Sequence, residues 1–382
     1  MWVPQKDYEN AHVLTSRFVY QIKQRGIGIY EPHCRWTPRG FQEREGIDYD
    51  ETFANVPTLA AVRMLLLKIL LKTKKSFHFD FKGAFSNTPL DREILVSMPK
   101  GYHRHDKDGN ELILSLRKSV YGLKQSGHDW EEMLKTFLLE YGFKQSITEP
   151  MLYTKSLEDG SHVDILVWVD DVFGACDSEG FIVQFLKDLN KKFGVETKHL
   201  GPLSLILGME IEITNDTVSI SQLQSIEKLL KDIDMEDCQE RDLPLPPSFK
   251  IEEAQKSELL NPAQKQQYQS IVGSCLWINR GSRPDISFAV WVLTRNMHNP
   301  TEKLLEAAKY LVRFLKKTKK LKLTYSTNGE GASELNLHAY TYDKNIPTGF
   351  CDANWEAPSA HRQTSLCAAT RHLYGLLKSK QM

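Results

Sequence analysis

The most chemically suggestive residues in this 382-residue sequence are three aspartates. Asp170 and Asp171 interrupt an apolar run, with Ile165 to Val169 before them and Val172-Phe173 after. Adjacent like charges repel, and tight hairpin turns favour Asn-Gly or Asp-Gly, so an acidic pair at such a tip calls for water or a cation. Magnesium takes oxygen ligands and keeps several waters; two or three carboxylates with substrate phosphates make a typical site. Asp80 stands on the polar side of the period-2 stretch Phe77-His78-Phe79-Asp80-Phe81-Lys82 and could supply a third carboxylate. Two ions ~3.5 to 4 Å apart would then serve an attacking hydroxyl and a leaving phosphate. By residue type alone, plainer readings stay open. The pair could be solvated turn residues, and Asp80 could pair with Lys82 or His78.

The elements that must position these groups are legible. Trp130, Met133, Leu134, Phe137, Leu138 and Tyr141 follow helical spacing, with Gly142 at a left-handed cap. Ser178 is predicted to cap a second helix whose Phe181, Phe185, Leu186, Leu189 and Phe193 face inward and which Gly194 ends. Leu59 to Leu71 is apolar nearly all round and reads as an interior helix. The stretch from Ile165 to Phe173 reads as a buried hairpin with an acidic tip. Met209 to Ile220 reads as a second hairpin turning at Asn215-Asp216. This succession is α+β, an antiparallel sheet with helices on one face. Leu243-Pro244-Leu245-Pro246-Pro247 marks a linker and domain boundary, and Asn299-Pro300 opens an amphipathic helix carrying Leu304, Leu305, Ala308, Leu311, Val312 and Leu315.

Composition bounds the class without choosing the function. Lys and Arg balance Asp and Glu at 49 each, so any basic surface must be local. Candidates are Lys72, Lys74 and Lys75; Lys187, Lys191 and Lys192; and Lys316, Lys317, Lys319 and Lys320, each also explicable as a solvated helix end. No stretch approaches the ~20 apolar residues of a membrane span, and no basic-then-apolar leader opens the chain, so an intracellular protein, cytoplasmic or nuclear, is expected. The six scattered cysteines read as reduced thiols.

Taken with their neighbours, the aspartates fall within ordered blocks that resemble the reverse transcriptase of copia-type long-terminal-repeat retrotransposons, from about Val13 to Lys380. The blocks include Arg39-Gly40-Phe41-Gln42, Glu45 to Ala54, His78 to Phe85, Leu116 to Gln125 (similar to the family's LKKSLYGLKQ) and Trp168-Val169-Asp170-Asp171 (similar to YVDD). Later blocks are Leu200-Gly201, Leu207 to Ile211, Val272-Gly273-Ser274, Ser282 to Ile286 and Asn299 to Glu302. The resemblance implies a right-hand polymerase with fingers, palm and thumb, an antiparallel palm sheet, and a truncated ribonuclease H-like segment at the end. Its implied divisions are a tail at 1–12, fingers and palm at 13–240, linker with thumb and connection helices at 241–328, and the ribonuclease H-like start at 329–382.

The same resemblance assigns roles by position. Asp80, Asp170 and Asp171 would bind two Mg2+ ions, with Mn2+ as a substitute. Arg35 would meet the incoming triphosphate, Phe85 would exclude a ribose 2′-hydroxyl, Gln125 would lie near the nucleotide pocket, and Trp168 would lie against the primer end. An RNA template, a DNA or RNA primer and deoxynucleoside triphosphates are the implied partners; no membrane and no particular oligomeric state is implied. The implied activity is RNA-directed DNA polymerisation, with a decayed or repurposed copy that binds without catalysis as the alternative.

Departures from the family also stand out. Asn55-Val56-Pro57-Thr58 replaces Pro-Val-Val-Arg, and Gly127-His128 replaces Pro-Arg. Gly349 to Trp355 resembles the start of ribonuclease H with Asp352 at its first carboxylate, and the remaining carboxylates would lie beyond Met382, so no ribonuclease H activity is expected.

Overall fold

The computed structural model describes residues 1–26, 29–72, 75–194, 197–327, 348–353 and 364–369. The chain divides into two compact units, Met1–Leu65 with Lys75–Pro202, and Leu66–Lys74 with Leu203–Met382. The division falls at Pro202, so the proline-rich segment 243–247 lies inside the second unit. Mixed α and β structure occurs in both.

In chain order the first unit holds β1 (Trp2–Pro4), β2 (Val13–Leu14), β3 (Ser16–Gly26) and β4 (Ile29–Pro38). Helix α1 (Leu59–Lys72) crosses the division. There follow β5 (Lys75–Phe81), β6 (Pro89–Val96), β7 (Arg104–His105), β8 (Glu111–Lys118), α2 (Ser126–Glu140) and β9 (Lys144–Gln145). The unit closes with β10 (Leu152–Ser156), β11 (His162–Trp168), β12 (Asp171–Cys176), α3 (Glu179–Phe193) and β13 (Thr197–Gly201). Strands β3 and β4 form a two-stranded ribbon, and a second sheet runs β1-β8-β6-β2 with β7 on β8. A six-stranded antiparallel sheet, ordered β13-β5-β12-β11-β10-β9, carries the aspartates.

One face of that sheet is packed as the alternation predicts. Phe77, Phe79 and Phe81 of β5 join Val163, Ile165 and Val167 of β11 in one core with Trp130, Leu134 and Phe137 of α2 and Ile182, Phe185 and Leu189 of α3. Each fully buried Phe is worth roughly 1.5 to 3 kcal/mol, so this face sets the register of β5. Opposite Phe77 stands Gly174. A Cβ there would fall 2.0 Å from the Cζ of Phe77, so the ring lies directly on the backbone of β12. The helix ends match expectation: the Ser178 hydroxyl accepts from the Phe181 amide, and Gly142 and Gly194 follow α2 and α3 with φ of 92° and 62°. Helix α1 buries Val62, Leu65, Leu66, Ile69 and Leu70 but leaves Met64 51% and Leu71 48% exposed, so it is not the wholly interior helix its composition suggests.

The second unit holds β14 (Leu205–Ile206), β15 (Met209–Ile213), β16 (Thr217–Ser221), α4 (Leu223–Asp232), α5 (Ile251–Ala254), α6 (Pro262–Gly281), α7 (Ser287–Thr294), α8 (Glu302–Lys317) and β17 (Leu323–Ser326). After these come the paired β18 (Thr348–Ala353) and β19 (Thr364–Ala369). Strands β14, β15, β16 and β17 form an antiparallel sheet in that order. The expected stripe of α8 is buried against Tyr268, Ile271 and Val272 of α6. This helix begins at Glu302 and not at Asn299-Pro300. Thr301 is extended, and its hydroxyl donates to the Ala254 carbonyl at 2.7 Å. Arg283, in one of the blocks of resemblance, is buried. Its guanidinium donates twice to Asp285 (2.9 and 2.7 Å) and twice to Thr318 (3.0 and 2.7 Å), a structural clamp at the end of α8.

The basic runs are largely spent internally. Lys75 pairs with Glu179 at 2.8 Å, Lys192 with Glu140 at 3.4 Å and Lys319 with Glu227 at 2.8 Å. Lys316 donates to the Cys238 carbonyl at 2.7 Å and Lys317 pairs with Asp242. Among the described residues no helix is long and apolar enough to cross a membrane. Asp352 lies on β18, while its side chain and most of the expected ribonuclease H-like segment lie outside the described residues.

Candidate active site

Strands β5 and β12 are antiparallel neighbours, and their register places Asp171 directly opposite Asp80. Directly opposed residues project to the same side of a sheet, so both carboxylates leave the face away from the Phe77, Phe79 and Phe81 core. Asp170 sits one residue earlier in the two-residue connection Val169-Asp170 that joins Trp168 to Asp171. The acidic hairpin tip read from the apolar run is therefore present, and Asp80 lies beside it.

This tip is held from outside. Val169 has φ of 54°, a left-handed conformation that costs a β-branched residue roughly 1 to 2 kcal/mol. Two contacts hold it there. The indole N–H of Trp130 on α2 donates to the Val169 carbonyl at 2.6 Å, and the Phe81 amide of β5 donates to the Asp170 carbonyl at 2.9 Å. Neither bond depends on a turn-forming sequence, which explains how Val-Asp can occupy a place where Asn-Gly would be usual.

The carboxylates differ in their surroundings. Asp171 Oδ1 accepts from His78 Nε2 at 2.7 Å, with the side chains 32% and 10% exposed. His78 is diagonal to Asp171 across the strand pair, and its ring packs on Phe173 at 4.7 Å. The plainer expectation that His78 would pair with Asp80 thus goes to the wrong aspartate. The Tyr121 hydroxyl donates to Asp170 Oδ2 at 3.4 Å. Burial pushes the Asp170 carboxyl above its usual range, and the charges of Asp171 and Asp80 push the same way against its own backbone amide and Tyr121. Burial, then Asp170, likewise raises the Tyr121 phenol.

Two of the other singled-out residues converge on Tyr121. The Arg35 guanidinium on β4 lies 5.3 Å from its ring centroid, and the edge of Phe85 meets it at 4.6 Å. Trp168 ends β11 opposite Asp171, half-buried. Gln125 is engaged elsewhere. Its Nε2 donates to Asp129 at 2.9 Å and its Oε1 accepts from the Asp50 amide at 3.0 Å, tying a loop to α2. Sequence reasoning did not single out Tyr121 and Trp130 for this site. Both lie within stretches already read, as a block residue and as a core helix residue, so their position was visible and their contacts were not.

The departures from the family are absorbed locally. Asn55 holds the buried Glu131 carboxylate through its backbone N–H (2.5 Å) and side-chain amide (2.6 Å). Thr58 caps α1 through the Ala61 amide at 3.1 Å. His128 Nδ1 lies 3.0 Å from the Phe53 carbonyl.

The donor set consists of carboxylate oxygens, the chemistry a hard divalent cation takes. Its mutual repulsion at Asp170 is what such a cation relieves. Among the described residues no group of three or more His, Cys, Asp or Glu side chains closes into a chelate. One oxygen each of Asp170 and Asp171 instead faces a protein donor.

Comparison with known proteins decides the family. Residues 2–247 match the reverse transcriptase (RNA-dependent DNA polymerase) family. The chain belongs to it. It is 30% identical over 312 residues to the Retrovirus-related Pol polyprotein from transposon TNT 1-94 of Nicotiana tabacum, covering 80% of this chain and 23% of that protein. The corresponding polyprotein from transposon RE1 of Arabidopsis thaliana is 30% identical over 345 residues, covering 90% and 22%. A transposon Ty5-1 protein of Saccharomyces cerevisiae is 29% identical over 252 residues, covering 66% and 79%. The copia-type resemblance is borne out, and the chain spans less than a quarter of the two plant polyproteins. At the level of the family, reverse transcriptases work on template–primer nucleic acid with deoxynucleoside triphosphates and divalent cations.

Proposed function

We propose that this reverse transcriptase chain copies RNA into DNA, adding deoxynucleotides to a primer 3′-hydroxyl at Asp80, Asp170 and Asp171. One observation carries the reading: Asp171 and Asp80 stand opposite each other on neighbouring strands, with Asp170 next in the turn, in a chain of this family. The six-stranded sheet would be the palm, residues 13–240 the fingers and palm, 241–328 the thumb and connection, and 329–382 a ribonuclease H-like start.

Asp80, Asp170 and Asp171 would hold two Mg2+ ions, or Mn2+, which when bound supply Lewis-acid stabilisation of the attacking hydroxyl and the leaving phosphate. Asp171 would offer Oδ2 for this while His78 keeps Oδ1 in place, and Tyr121 would steady Asp170 through its Oδ2. Arg35 would meet the triphosphate, its guanidinium already steered by Tyr121. Phe85, braced on the same ring, would stand against a ribose 2′-hydroxyl. Trp168 would lie under the primer end, and Gln125 would act by fixing the loop at Asp50 beside the nucleotide.

Primer extension by the purified chain on an RNA template, with deoxynucleotides and Mg2+ or Mn2+, tests the proposal. Extension is expected, with Asp80→Asn reducing it to background and Phe85→Ala admitting ribonucleotides. Undiminished extension by Asp80→Asn would refute the site. Primer–template binding without extension under either metal would favour the binding-only alternative.

A further inference from the structure

On the reading above, Phe85 faces the sugar of the incoming nucleotide, and its selectivity depends on how firmly its ring is held. The backbone there is fixed. The Ser86 hydroxyl and the Asn87 side-chain amide both donate to the Gly83 carbonyl, at 2.7 and 2.9 Å, and the Thr88 amide donates to the Phe85 carbonyl at 3.0 Å. A fixed backbone still leaves a half-buried side chain free to turn about its own torsions. Among the described residues the aromatic ring that meets Phe85 is that of Tyr121, with centroids 4.6 Å apart and planes at 63°. Such an edge-to-face arrangement is a favoured one for an aromatic pair.

Tyr121 is itself poorly able to give way. Before it, the Ser119 amide donates to the Thr88 carbonyl at 2.8 Å, joining its turn to the segment that carries Phe85. After it stands Gly122, whose backbone is packed on two others. A Cβ on Gly122 would fall 2.7 Å from the Pro38 carbonyl oxygen at the end of β4, and a Cβ on Gly40 would fall 2.0 Å from the Gly122 carbonyl oxygen. The ring so placed also carries the Arg35 guanidinium 5.3 Å from its centroid, and its hydroxyl reaches Asp170 Oδ2 at 3.4 Å. A 2′-hydroxyl pressing on Phe85 therefore meets Tyr121 behind it. Phe85 yields only by shifting a side chain that is bonded to Asp170.

We propose that Tyr121 is a positioning residue that links sugar selection to turnover: its ring braces Phe85 against a ribose, and its hydroxyl makes the seating of Asp170 depend on where that ring stands. The proposal rests on the reading of Phe85 and Asp170 given above. A wrong sugar is thus penalised twice, once in binding and once in turnover. The two halves have separate signatures, because the brace governs which nucleotide binds and the hydroxyl governs how fast a bound one reacts.

The test is a pair of measurements on the full chain with an RNA template. The first titrates a deoxynucleoside triphosphate and the matching ribonucleoside triphosphate, with Mg2+, into the complex with a dideoxy-terminated primer, on which no bond can form. The ratio of half-saturating concentrations is the sugar preference. Tyr121→Leu is expected to narrow it roughly two- to tenfold, the equivalent of one edge-to-face pair, whereas Tyr121→Phe keeps the ring and the preference. In the Phe85→Ala background, where the ring has nothing to brace, Tyr121→Leu should change the preference no further. The second measurement is extension by one nucleotide. Tyr121→Phe is expected to lower kcat for the deoxynucleotide roughly two- to tenfold, as for loss of one hydrogen bond, with KM unchanged, and to narrow the ratio of kcat between the two sugars. Melting curves establish that each variant is folded, and Tyr121→Met replaces Tyr121→Leu if that one is not. A preference unchanged in the folded variant, or changed equally with and without Phe85, would overturn the brace. A kcat ratio unmoved by Tyr121→Phe would overturn the link, as would a chain that binds nucleotides selectively and never extends, since it has no turnover for the hydroxyl to govern. If Phe85→Ala itself leaves the preference as in wild type, the reading of Phe85 falls and this proposal with it. A preference lost in Phe85→Ala but untouched by Tyr121→Leu removes the proposal alone.

Discussion

Two of the hairpins that turn on an aspartate, β15–β16 and β11–β12, are built in opposite ways. The β15–β16 turn holds itself: the Thr214 amide donates to the Thr217 carbonyl at 2.8 Å, the two hydroxyls meet at 2.8 Å, and Asn215 and Asp216 stand exposed. The β11–β12 turn draws on contacts from distant elements. Its Val169 is in a conformation unfavourable for its type, its Asp170 is half-buried, and its shape is imposed by Trp130 and Phe81. A solvated acidic turn follows from local sequence; a half-buried one has to be held by the rest of the unit. Strain that the surroundings over-determine gathers where a fixed geometry is used.

The comparison can be broken by experiment. The largest expected difference is in activity: Asp170→Asn should bring primer extension to background, whereas Asp216→Asn should leave extension intact and stability within about 0.5 kcal/mol. Equal effects in extension assays would remove the distinction between the turns. Next comes support. Trp130→Ala should cost about 3 to 5 kcal/mol in denaturant unfolding, because the indole is a fully buried part of the core as well as a donor. Thr214→Ala at the other turn should cost about 1 kcal/mol. Trp130→Phe separates the two roles of the indole. It keeps an aromatic ring but leaves the Val169 carbonyl unmet, and should cost about 1 to 3 kcal/mol while lowering extension more than Thr214→Ala does. A small effect of opposite sign is expected at Val169→Gly, where relief of the left-handed strain should outweigh the added chain entropy and stabilise by about 0.5 to 1 kcal/mol. A loss of stability there, measured by thermal melting, would show that the turn is not strained.

What the sequence revealed follows the same division. Helices α2 and α3, their glycine ends and the Ser178 cap were legible because each signal lies within a few residues of what it determines. So was the tip at Asp170-Asp171, framed by apolar neighbours. The partnership of His78 with Asp171 was not, because it depends on which residue of β12 lies opposite Asp80, and register across strands far apart in sequence is set by packing. Gln125 shows another contact that the sequence did not reveal. Its place in a block implied a position near the nucleotide pocket, and its amide ties the loop at Asp50 to Asp129 of α2. Arg283 and Asp285 also lie in a block, and their buried ion pair is structural. A motif marks a position that must be filled in a certain way, and only the contacts say whether chemistry or packing requires it.

The ring of Phe77 lying on Gly174 has a consequence for how such a chain could lose its activity. Beside it in the same strand pair are Asp80 and Asp171, so the spacing of the two carboxylates is inherited from the thinness of a glycine on the opposite face of the sheet. A single added methyl group at position 174 would collide with the Phe77 ring and force a shift in the strand pair that carries the aspartates, without altering either of them. A copy of this gene could therefore fall silent while its acidic signature still read as whole.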